Sequence, residues 1–79
     1  MINTIYEEKS KIVSEIILDQ TDKFIVKDII EKVKSKIEDQ IEKLFGTLAD
    51  MENYIINKLN SMCEYGLVGK TDLYYFAVW

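Results

Sequence analysis

The sequence predicts a mostly α domain that ends in a C-terminal β-hairpin. Three observations lead there. The 79 residues hold no proline and three glycines, so few positions interrupt a helix. Apolar residues recur at spacings of three and four along three long segments, the period of a helix that buries one face. Past Gly66 the period shortens. Leu67-Val68-Gly69, a turn at Lys70-Thr71-Asp72 and the aromatic run Leu73 to Trp79 read as two strands and their connection.

The first helix is expected over residues 3–18. Ile2, Ile5, Tyr6, Ile12, Val13, Ile16 and Ile17 mark its buried face, and Glu7, Glu8, Lys11 and Glu15 its wet one. Asp19-Gln20-Thr21-Asp22 is a polar link. Phe24-Ile25-Val26 is β-prone but short, which suits a small edge strand or an extended lead-in to the next helix. Residues 27–45 repeat the helical period through Ile29, Ile30, Val33, Ile37, Ile41, Leu44 and Phe45. A break near Ser35 or Asp39 would divide that segment in two. Gly46 suits a helix end, and either Thr47 or Asp50 can start the helix of residues 48–65. Its buried face is Leu48, Met51, Tyr54, Ile55, Leu59, Met62 and Tyr65.

The length fits one domain over residues 1–79, which buries only about 60% of its unfolded surface. With hydrophobic content of 48%, a core is expected rather than disorder. A single cysteine, Cys63, allows no internal disulfide and fits a reducing cytoplasm. No apolar run reaches the roughly 18 residues of a membrane span, and the acidic start lacks the form of a signal peptide. The expectation is a cytoplasmic protein without membrane contact.

The absence of histidine removes the usual general base and the commonest metal ligand. Adjacent carboxylates such as Glu38 and Asp39 diverge on a helix, and Cys63 has no base beside it in the pattern and reads as a core thiol. No phosphate loop and no metal-ligand spacing is present. The chain is therefore expected to be neither an enzyme nor a holder of metal or cofactor.

Two stretches carry a resemblance. "FIVKDIIEKV" resembles the point where a short strand enters the second helix of winged helix-turn-helix domains. "IINKLNSMCEYGLVGKTDLYYF" resembles their third helix running into the wing. The likeness spans nearly the whole chain as an order of elements, but its specific part is the last 25 or so residues. The chain departs from the pattern between Lys27 and Gly46, which is longer than the usual second helix, and it has no second wing after Trp79.

The resemblance implies a DNA-binding regulator of transcription. The third helix would enter the major groove, presenting Asn53, Asn57, Lys58, Asn60 and Ser61. Asn can pair with adenine through both atoms of its amide. The wing tip would offer Lys70 and Thr71, and Lys23 and Lys27 would meet phosphate near the second helix. The plainer account is that an AT-rich genome enriches Asn, which a solvated helix face tolerates.

Charge pulls the other way. The chain carries −4, and residues 48–79 alone carry −2, with Lys58 and Lys70 against Asp50, Glu52, Glu64 and Asp72. All ten basic residues are lysines, so the bidentate arginine fork is missing. A homodimer would double the phosphate contacts.

The rival reading is an acidic protein-interaction module, an adaptor or inhibitor carried by a phage or other mobile element. Strand alternation sends Tyr74, Phe76 and Val78 to one face and Leu73, Tyr75, Ala77 and Trp79 to the other. One face must cover the core, and the other is open to a partner unless the first helix covers it. Tyr75 and Trp79 are the expected protein interface.

Overall fold

The computed structural model describes residues 4–78, so Trp79 lies outside the described residues. The chain is mostly helical with a two-stranded antiparallel hairpin at its C-terminal end, a layout compatible with a winged helix. Helix α1 spans Thr4–Leu18, α2 Val26–Ile37, α3 Ile41–Phe45 and α4 Leu48–Glu64. Strand β1 is Val68–Lys70 and β2 is Tyr75–Ala77.

Helix α1 turns Val13 and Ile17 inward. Gln20 closes its C-terminal end: the side-chain amide donates to the Ile16 carbonyl at 2.7 Å, and its oxygen accepts from Lys32 Nζ of α2 at 2.5 Å. The residue after the link, Phe24, does form a strand contact. Its N–H donates to the Tyr75 carbonyl at 2.8 Å, and the Tyr75 N–H donates back at 2.7 Å. The two rings stack with centroids 6.0 Å apart. Strand β2 therefore lies between Phe24 and β1. Ile25 leads directly into α2, its N–H donating to the Asp28 carboxylate at 3.0 Å. Asp28 so holds the first turn, where a carboxylate also meets the positive end of the helix.

Helix α2 buries Ile29, Val33 and Ile37, one residue per turn. The segment of residues 27–45 is not one helix. It breaks at Glu38, whose φ of 46° and ψ of −107° leave the helical region, and a 3-10 turn over Glu38–Gln40 leads into α3. The chain bends there so that Ile37 on one side and Leu44 and Phe45 on the other can all reach the core. Gly46 ends α3 at a φ of 93°, a conformation that costs glycine little.

Thr47 is the cap of α4. Its hydroxyl accepts from the Asp50 N–H at 3.1 Å, which resolves the choice between Thr47 and Asp50. Met51, Ile55, Leu59 and Met62 face inward. Leu48 and Tyr65, 40% and 81% exposed, stand at the two ends of the helix, outside the buried face expected for them. The far end closes with Leu67 N–H to the Met62 carbonyl and Gly66 N–H to the Cys63 carbonyl, the paired bonds of a Schellman motif around Gly66.

The hairpin register pairs Val68 with Ala77, Gly69 with Phe76 and Lys70 with Tyr75. Strand β1 has the expected three residues but starts one later, and β2 is shorter than expected, because residues 71–74 form the connection. Leu73, which alternation groups with Tyr75 and Ala77, lies in the connection before β2 and projects at 82% exposure. Among the described residues no buried side chain is polar or charged, and the buried apolar side chains of the helices, Phe24 and β1 form one cluster.

Candidate nucleic-acid interface

Because Met51, Ile55, Leu59 and Met62 hold one side of α4 against the core, the opposite ridge is fixed by helical geometry. Asn53, Asn57, Asn60 and Glu64 follow at spacings of four, three and four and are all exposed. The three Asn side chains share a face of α4. Their ridge also carries acid, with Asp50 one turn before Asn53 and Glu64 one turn after Asn60.

Lys58 does not stand on that ridge. It lies half-buried toward α1, where its Nζ donates to Ser10 Oγ at 2.7 Å. Tyr54, Asn57, Lys58, Ser61 and Tyr65 line a shallow groove along this flank of α4. From α1, Lys9 places its Nζ 5.0 Å from the Tyr54 ring centre and 5.6 Å from that of Phe45. The Tyr54 and Phe45 rings meet at 5.4 Å in a tilted pair. Lys9 and Ser10 were not singled out from sequence. The spacing of Lys9, Ser10 and Val13 on α1 hints that both polar residues border the buried stripe, but nothing local says which helix they meet.

The wing carries its residues differently from expectation. The Thr71 hydroxyl is engaged inside the turn, donating to the Tyr74 carbonyl and accepting from the N–H groups of Leu73 and Tyr74. It shapes the wing rather than standing free for a phosphate. Lys70 is exposed with its Nζ 5.6 Å from the ring centre of Tyr75. Lys23 sits 5.1 Å from that of Tyr74, so both cations flank the small sheet. Lys27 is exposed in the first turn of α2.

The expected protein interface also needs correction. Tyr75 faces the core side, stacked on Phe24 and only partly exposed, because the bridge to Phe24 makes β2 the middle strand. The open face is the other one. Leu67, Phe76 and Val78 are 46%, 39% and 49% exposed, and the Phe76 ring lies across Gly69, where a β-carbon would collide with it. Helix α1 does not cover this face. The second expected contact, Trp79, lies outside the described residues.

Cys63 is a free, partly buried thiol packed against the core. Among the described residues no three potential metal-ligating side chains gather in one place, and no helix is long and apolar enough to cross a membrane. Comparison with known proteins returned no matching family model, no matching curated protein and no matching solved structure.

Proposed function

We propose that this chain is a cytoplasmic DNA-binding protein, acting as a homodimeric regulator of transcription that reads duplex DNA through α4. The observation that carries the reading is the row of Asn53, Asn57 and Asn60 on the outer ridge of a helix anchored along its whole inner side. An Asn amide pairing with adenine discriminates by about 1–3 kcal/mol per contact. Phosphate contacts fall to Lys23, Lys27 and Lys70, while Asp50 and Glu64 oppose the backbone at the two ends of the ridge. About three phosphate contacts give a slope near −2.7 in log K against log salt, a loss of about 40-fold between 50 and 200 mM salt. Binding by one protomer is weak on this account, and pairing of two protomers on adjacent half-sites supplies the rest.

Fluorescence anisotropy on an AT-rich duplex at several salt concentrations tests the proposal. Micromolar binding that weakens with salt, and weakens at least tenfold when Asn57 and Asn60 become Ala, supports it. A flat titration at 50 mM salt, with no change in anisotropy for the wild type, sinks it.

A second reading has its own observation. Leu67, Phe76 and Val78 form an uncovered apolar strip on the wing, with Leu73 projecting beside the turn. An adaptor or inhibitor would dock a protein partner there, against a rim that is acidic at Asp72 and Glu64. Co-purification of one stoichiometric partner that is lost on Phe76→Ser favours this reading.

A further inference from the structure

We propose that the groove along the flank of α4 is a binding site for single-stranded nucleic acid, which borders the Asn ridge at Asn57 and does not depend on duplex reading. Tyr54, Lys58, Ser61 and Tyr65 follow one another at spacings of four, three and four, so they form a second row on α4. That row runs about 16 Å along the helix axis, with an aromatic ring at each end. Asn57 lies on its outer border and Ser10 on the α1 wall.

The charge of this groove differs from that of the molecule. The chain has fourteen acidic residues, yet none of the five lining side chains is a carboxylate. The cleft beside β2 includes Asp22, and the one on α1 includes Glu15 and Asp19. Lys58 supplies an ammonium group to the groove, and the Lys9 ammonium lies 5.0 Å from the ring centre of Tyr54. Asp50 stands one turn before Tyr54 and Glu64 beside Tyr65, so the cationic part of the row is its middle, around Lys58.

The Lys58 ammonium has three donors and gives one to Ser10 Oγ. That bond holds the side chain in the groove with donors left for a phosphate oxygen, beside the hydroxyl of Ser61 and the amide of Asn57. Tyr65 is 81% exposed at the C-terminal end of the same row. An exposed ring about two helical turns from a lysine is a combination that grips a single strand: a phosphate on Lys58, and an unstacked base on Tyr65. A duplex keeps its bases stacked away from Tyr65 and matches the groove only through phosphate. A peptide of basic character meets the like charge of Lys58 here. DNA and RNA strands share the chemistry that the groove reads, and separate probes distinguish them.

The experiment is an anisotropy titration of the full chain against labelled twelve-residue oligo-dT, the matching oligo-rU and a twelve-base-pair duplex, at 50 and 150 mM salt. Both single strands, or one of them, are expected to bind in the micromolar range. Tyr65→Ala is expected to weaken that binding at least tenfold, and Lys58→Gln to weaken it and flatten its salt dependence. Asn60→Ala, outside the groove, is expected to leave it unchanged. Tyr65 is exposed, so its replacement keeps the helical circular dichroism of the wild type and remains informative if Lys58→Gln disturbs the α1 contact. Failure of both single strands to bind, or binding by Tyr65→Ala within twofold of wild type, overturns the inference. Duplex binding without single-strand binding overturns it and leaves the Asn ridge standing, whereas binding of no probe overturns both.

Discussion

Replacing Glu38 by Gly is expected to stabilise this protein, against the usual direction of such a change. Glu38 is the one non-glycine residue at positive φ among those described, at 46° with ψ of −107°. A side chain held in such a sparsely populated region costs about 1–3 kcal/mol. Glycine removes that strain but adds freedom to the unfolded chain, which costs about 0.4–1 kcal/mol. The Glu38 side chain is exposed, so little packing is lost. The net expectation is a gain of about 1 kcal/mol, which for a domain of this size raises Tm by about 4–8 °C. Thermal unfolding followed by circular dichroism at 222 nm measures it. Asp39→Gly is the control, because Asp39 has negative φ and glycine there has no strain to relieve; its Tm is expected to fall by a few degrees. If Glu38→Gly lowers Tm as much as Asp39→Gly does, the break between α2 and α3 is not strained at Glu38 and the reasoning fails.

Three other substitutions probe separate parts of the molecule. Glu64→Lys adds a cation to the Asn ridge, in the last turn of α4 where a positive charge also suits the helix end; the salt slope of duplex binding is expected to steepen by about 0.9, while Glu15→Lys, with the same change in net charge on α1, leaves it unaltered. Gly69→Val drives a side chain into the ring of Phe76 and is expected to cost about 1–3 kcal/mol in urea unfolding, with a changed near-ultraviolet spectrum as the ring moves. Thr47→Ala removes the cap of α4 and is expected to cost about 1 kcal/mol by the same assay, with Thr47→Asp retaining most of the stability.

Much of the architecture was legible along the chain because it rests on local rules. The three-and-four spacing of Met51, Ile55, Leu59 and Met62 marks the buried side of α4, and the same arithmetic places Asn53, Asn57 and Asn60 together outside. Gly66 marks the helix end because the Schellman turn needs a residue at positive φ there. The break at Glu38 was less legible, since nothing in Ile37-Glu38-Asp39 is a helix breaker. It is imposed by the need to turn Leu44 and Phe45 back to the core that Ile37 already meets.

Two site assignments turned on contacts between distant residues. Strand alternation separates the faces of β2 correctly but does not say which one is covered. The bridge from Phe24 decides that, by stacking on Tyr75 and leaving Phe76 and Val78 outside. Lys58 read as part of the exposed helix surface, yet its bond to Ser10, forty-eight residues earlier, draws it off the ridge and into a groove with Lys9 and Tyr54. The order of elements, their caps and the inner face of each helix follow from the sequence itself, because each depends on residues within a turn or two of one another. Which polar groups share a surface was settled only by the tertiary structure, because packing α1 across α4 and Phe24 beside β2 sets neighbours that no local period encodes.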